Sequence, residues 1–182
     1  MVLDLLQIPR RPKLKPLMGY THYWYMKKDK RVSEQKWTAL TKDVKELLDD
    51  SPILERAKQQ YAADDGWWND LTITGNEIRF DGGHETFVLE RKPVQSAWRQ
   101  DEDMVFNFCK TARKEYDALV TATLILAKHH LGNEIKISSD GDMNEWVEGA
   151  DFEYGSSGFK LALNVISEPD VTNALSTIFH EE

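Results

Sequence analysis

Between Phe106 and Leu131 the chain reads FNFCKTARKEYDALVTATLILAKHHL, and its second half limits the possible folds more than any other stretch. Residues 118–127 are apolar on nearly every side of a helical wheel, which predicts a helix buried in the middle of a domain. The spacing starts it near Thr111 and stops it at Gly132, a residue suited to the position just past a helix. Lys110, Arg113 and Lys114 cluster at that start. Cations there oppose the helix macrodipole, and a chain shaped by stability alone would carry acids instead. Local rules tend to fail at functional sites. The cluster therefore points to a bound phosphate or carboxylate, held by free N–H groups and the Thr111 hydroxyl. The competing reading is a salt-bridge cluster with Glu115, Asp117 and the acidic loop 101–103.

Around this helix the other elements follow from periodicity. Gly19 to Met26 is aromatic and β-prone, with Tyr20, His22 and Trp24 on one face and Thr21, Tyr23 and Tyr25 on the other. Ser33 is a good N-cap for a helix whose apolar stripe is Trp37, Leu40, Val44, Leu47 and Leu48, and Pro52 opens a second helix. Strand pieces are expected at 71–73, 77–80 and 85–91, with a hairpin turn at Asp81-Gly82-Gly83, and again at 134–138. The order β-α-β-β-α-β predicts an α+β fold of ferredoxin-like type, an antiparallel sheet covered by helices. Phe159, Leu161, Leu163 and Val165 alternate as a strand should, and Val171, Ala174, Leu175, Ile178 and Phe179 form a helical stripe. Residues 147–182 are thus expected as a C-terminal strand-helix extension of a core at 18–146, within one domain at 18–182. Residues 1–17 hold three of the six prolines and four basic residues against one acid, and read as an extended, dispensable arm.

Net charge bounds the partners. The chain carries -8, and the arm contributes +3, so the remainder is at -11. That balance opposes non-specific nucleic-acid binding, which neutralises phosphates with Lys and Arg. Surface aromatics on an open sheet suggest base stacking on Tyr20, Trp24 or Trp67, although the basic aromatic strands of RNA-recognition modules are not evident. Trp37 and Trp98 read as core. No apolar run reaches the roughly 20 residues that span a bilayer. One cysteine, Cys109, excludes an internal disulfide and a multi-Cys zinc site. These features fit a cytoplasmic protein with no membrane association and no cofactor.

The candidate chemistry is spread along the chain. In the ferredoxin-like order His84 and Glu85 would lie beside the first strand, where His22, His84, Glu85 and Asp81 could act as acid and base or gather around a metal. No recognised ligand spacing supports a metal, and hydrogen-bonded strand histidines are the simpler account. Ser138, Ser139 and Asp140 follow a strand, where hydroxyls and N–H groups could meet a phosphate or ribose; a plain turn is the alternative. Cys109 reads as a buried thiol rather than a nucleophile.

The stretches GYTHYW (19–24), GGHETFVL (82–89), FNFCKTARKEYD (106–117), AKHH (127–130) and ISSDGD (137–142) together resemble a family of small uncharacterised proteins of phages and bacteria. The FCKTAR-x-x-YD stretch, which includes Tyr116, is the most specific of them. The resemblance implies a phage-like setting, with action in the host cytoplasm, but no catalytic role. The resulting expectation is a binder of a small nucleotide-like, phosphate-bearing ligand at Tyr20, His22, Trp24, His84, Glu85, Lys110, Thr111, Arg113, Tyr116, Ser138, Ser139 and Asp140. Such a binder could sequester a host defence signal. Two alternatives stand: an enzyme on a phosphate-bearing substrate with histidine acid–base chemistry, and a protein-interaction module. The last helix could also form a homo-oligomer contact.

Overall fold

The computed structural model describes residues 19–62, 68–93, 103–149 and 156–180. The arm at 1–17, Met18, Trp67, Trp98 and Gly155 lie outside the described residues. The fold is α+β. In chain order the elements are β1 (Thr21–Lys27), α1 (Glu34–Leu48), α2 (Pro52–Ala62), β2 (Thr72–Ile73), β3 (Glu77–Phe80), β4 (Phe87–Glu90) and β5 (Met104–Lys110). Then come α3 (Asp117–Leu131), a 3-10 turn (Gly132–Glu134), β6 (Ile135–Ser139), α4 (Met143–Glu148), α5 (Gly158–Leu163) and α6 (Glu168–His180).

α3 is the centre. Every residue of it except His129 and His130 is buried, and it touches α1, α5, α6 and β6. Its apolar circumference is buried against these neighbours, and no helix among the described residues is long and apolar enough to cross a membrane. Ser33 caps α1 by accepting the Lys36 N–H, and Trp37, Leu40, Val44 and Leu48 form its buried stripe. At the far end of α3, His130 Nε2 meets Asp43 of α1 at 2.6 Å, and His129 Nδ1 lies 3.8 Å from Asp170 of α6.

Two three-stranded antiparallel sheets complete the body, in the orders β5-β1-β6 and β2-β3-β4. The single sheet of the ferredoxin-like expectation is not what is observed, because one more strand is present. Residues 104–110 alternate buried and less buried positions and pair with β1 along its whole length, from Thr21–Lys110 to Lys27–Met104. This strand occupies the edge of β1 where β4 was expected. Consequently α3 starts at Asp117, six residues later than its cationic prelude suggests.

A second correction concerns 158–163, which is a helix and not a strand. Ser157 caps it by accepting the Lys160 N–H at 3.2 Å. Its buried residues are the small Gly158 and Ala162, one helical turn apart. A Cβ on Gly158 would stand 2.2 Å from Thr121 Oγ1, so glycine lets α5 lie directly on α3. The alternating large residues around it are only partly buried.

The stripe of α6 is covered within the chain: Val171, Ala174, Leu175 and Ile178 are buried, and the Phe179 ring meets Trp146 edge-on at 5.3 Å. Leu175→Ala is expected to cost roughly 2–5 kcal/mol, whereas Ser176→Ala on the exposed side should stay within about 0.5 kcal/mol. Equal midpoints for the two variants in denaturant unfolding would show that α6 does not pack as described.

Candidate functional site

The inward face of β1 carries Tyr20, His22, Trp24 and Met26, all buried. Trp24 is core, with its ring 5.0 Å from Phe87. His22 is fully buried and bonded at both nitrogens: Nε2 to Asp117 Oδ1 at 2.7 Å and Nδ1 to Ser139 Oγ at 2.9 Å. An ionised carboxylate only accepts, so the proton between His22 and Asp117 sits on Nε2; in the neutral ring Nδ1 then accepts from the Ser139 hydroxyl. Thr111 also donates its hydroxyl to Asp117 Oδ1. The chain Ser139–His22–Asp117–Thr111 thus joins β6, β1, the first turn of α3 and the end of β5. Tyr20 and Trp146 stand edge-on to the imidazole at 5.1 and 5.3 Å.

Arg113 is placed by backbone strain. Ala112 and Arg113 both adopt left-handed conformations, with φ of 49° and 56°. Non-glycine residues hold these only at a cost of order 1–3 kcal/mol each. The turn lays the Arg113 guanidinium over the Tyr20 ring, 3.9 Å from its centroid, and brings Nη1 to 2.7 Å from Glu145 Oε1. Burial, and then the charges of Asp117 and Glu145, raise the Tyr20 phenol; Arg113 works against them. The helix start offers fewer donors than the sequence implied. Asp117 N–H donates to Lys114 O and Ala118 N–H to Glu115 O. Glu115 itself pairs with Arg56 on α2.

A second cluster joins the two sheets. The Tyr116 hydroxyl donates to Glu85 O at 2.9 Å and accepts the Glu85 N–H at 3.1 Å. Glu85 Oε2 accepts the Lys110 N–H at 2.6 Å. The Tyr116 ring fills the space where Gly82 lacks a side chain, since a Cβ there would stand 1.8 Å from Tyr116 Cγ. Cys109 lies beneath, and burial pushes its thiol up to about 12, far from a thiolate nucleophile. His84 is exposed on the β3–β4 connection. His84 and Glu85 therefore do not lie beside His22, whose cross-strand neighbours are Cys109 and Ser139. Among the described residues, no group of three or more His, Cys, Asp or Glu side chains could hold a metal.

The outward face of the β5-β1-β6 sheet is different in kind. Tyr23 and Tyr25 of β1 lie on it beside Phe106 and Phe108 of β5. Phe106 stacks on both Tyr23 and Phe108, each at 5.9 Å between ring centroids. Phe108 is 47 % exposed, and among the described residues it is the only large hydrophobic side chain so open. The alternation adds Lys27, Lys110, Lys136 and Ser138 to this face. Asp140, at its rim, accepts the Tyr23 hydroxyl at 3.1 Å. The alternation in MVFNFCK is the signal for these rings, overshadowed by the cationic cluster and the helix start expected near Thr111 just after it. Asp117 entered the sequence reading only as a candidate ion-pair partner at the helix start, and Glu145 and Trp146 carried no sequence signal, because their contacts with Arg113, His22 and Phe179 span long separations. A cleft of about 280 Å³ near the α1–α2 turn is lined by Asp49, Asp50, Glu55, Asp70 and Asp81 against Lys58, a charge balance unsuited to a phosphate.

Comparison of the chain with protein-family models, with curated proteins and with solved structures finds no match.

Two outcomes test this geometry. Asp117→Ala and His22→Ala should each cost about 2–4 kcal/mol, and the double variant should fall short of their sum by about 1–3 kcal/mol, since each leaves the other's polar group unpaired. Additive losses in denaturant melts would place the two side chains out of contact. Cys109 gives a pH signature. Its folded pKa is raised, so the stability it contributes is fully present below the unfolded value of about 8.5 and is lost as pH rises toward about 12. Unfolding free energy should therefore decline from pH 8.5 upward, and less steeply in Cys109→Ala; identical slopes would refute the assignment.

Proposed function

We propose that this protein binds a small nucleotide-like, phosphate-bearing ligand, and that the outward face of the β5-β1-β6 sheet receives it. The observation that carries this reading is Phe108, an aromatic ring open to solvent and stacked within a ring array beside lysines. Rings of this kind suit the π-face of a base, and ammonium groups suit its phosphate. Of the residues expected to bind, Lys110, Ser138 and Asp140 belong to this face. Tyr20, His22, Thr111 and Ser139 serve behind it as the buried frame that holds β1, β6 and α3 together. In the phage-like setting that the resemblance implies, such a binder would act in the host cytoplasm by sequestering a nucleotide signal of host defence.

An enzymatic reading has one observation in its favour, the Ser139–His22–Asp117 chain, which is the donor order of a nucleophile, base and orienting acid. It ranks second on chemistry. The Ser139 hydroxyl also accepts the Gly141 N–H at 2.9 Å, which ties it into the turn after β6. His22, fully buried, has no face toward a substrate.

Thermal scans at low salt with mono-, di- and cyclic nucleotides test the proposal. A site filled at about 100 times its dissociation constant adds roughly 2.7 kcal/mol, a shift of several degrees for a chain of this size. The shift should vanish in Phe108→Ala, whose own melting temperature should match the wild type. A wild-type protein indifferent to every nucleotide, or an equal shift in Phe108→Ala, would remove this reading.

A further inference from the structure

The cations and rings of the outward face are spaced for more than one nucleotide. Lys110 pairs in register with Thr21 at one end of the β1–β5 ladder, and Lys27 pairs with Met104 at the other. Six residues of strand separate these ends, roughly 20 Å at the usual rise. A single phosphate cannot reach both. Between them lie Tyr23, Phe106 and Phe108, with Phe106 within 22° of the Tyr23 ring plane and 30° of the Phe108 plane. Lys136 stands across β1 from Phe106, on the third strand. Among the described residues none of the three lysines enters an ion pair.

The charge contrast sharpens this. The whole chain is at -8, yet this face gathers three lysines against Asp140, whose carboxylate already accepts from Tyr23 and from the Thr21 N–H. On an acidic body a polyanion is drawn to places where cations gather, and among the described residues this aromatic face is such a place. We propose that the occupant of this face is a single-stranded nucleic acid, a base stacking on the open Phe108 ring, its neighbours packing along the Tyr23–Phe106 edge of the array and its phosphates reaching Lys27, Lys110 and Lys136. A paired duplex hides its base faces and would gain nothing from the rings. The inference rests on the nucleotide-binding reading above and extends it from one nucleotide to a strand.

The test is fluorescence anisotropy with labelled 12-nucleotide oligo-dT and oligo-U at 50 mM and 200 mM salt, with free mononucleotides and a 12-base-pair duplex as competitors. The 12-mer is expected to bind at least tenfold more tightly than a mononucleotide, and to weaken at the higher salt as phosphate contacts require. Phe108→Ala should weaken it roughly 5- to 150-fold, the range that base-on-ring stacking spans. Lys27→Ala and Lys136→Ala should weaken the 12-mer and leave mononucleotide binding closer to wild type. Circular dichroism checks that each variant is folded. If mononucleotides bind in a Phe108-dependent way and the 12-mer binds no better, the strand proposal falls and the nucleotide reading stands. If nothing binds, both fall. A duplex that competes equally overturns the stacking argument. Concentration-dependent self-association abolished by Phe108→Ala would assign the face to a second copy of this chain and end both readings.

Discussion

Asp117 is the contact on which the rest of the molecule depends. α3 is buried almost all round, so its first turn lies inside the protein, where polar groups need partners. Its N-cap residue, Tyr116, makes no side-chain capping bond. The carboxylate at the next position meets the positive end of the helix and accepts from His22 and Thr111 together. Those two partners belong to β1 and to the end of β5. The helix, the sheet and the connecting turn are therefore fixed by one buried carboxylate, and Ser139 extends the same chain to β6.

The second sheet is attached by different means. Trp24 meets Phe87 across the gap, and Tyr116 reaches over to both backbone groups of Glu85. Gly82 makes that reach possible, because any side chain there would collide with the tyrosine ring. Aromatic packing of Trp24 on Phe87 contributes area to this attachment, and the hydrogen bonds give it direction. Tyr116, placed among the ligand-binding candidates by sequence reasoning, is a joint between sheets.

The two faces of β1 divide the work. Inward, Tyr20 and Trp24 are held by packing, and His22 is held by hydrogen bonds at both ring nitrogens. Outward, Tyr23 shares a surface with Phe106 and Phe108, where rings meet solvent and lysines. Arg113 lies at the edge of the inward set, pinned between the Tyr20 ring and Glu145. Its strained turn is explained by that bridging role, since it ties α4 to the strand end.

Much of this was legible in the sequence. The 3.6-residue stripes of α1 and α6, the stop of α3 at Gly132, the hairpin of β3 and β4 and the assignment of Tyr20, His22 and Trp24 to one strand face follow from local periodicity. Periodicity depends only on near neighbours, so it survives in the sequence. Two local patterns misled, and for the same reason. MVFNFCK was given no element, because the cations after it drew attention to a helix start near Thr111, and FKLAL alternates although Gly158 and Ala162 are the buried side of a helix whose Gly158 lies against Thr121. In each case a partner far along the chain decided the outcome: β1 for the strand, α3 for the helix. Which edge of β1 is filled, which carboxylate closes the His22 chain, and which aromatic rings are left facing water are set by contacts between residues roughly 80 to 120 positions apart. Single-residue propensities carry no information about such contacts, and only the assembled tertiary structure decides them.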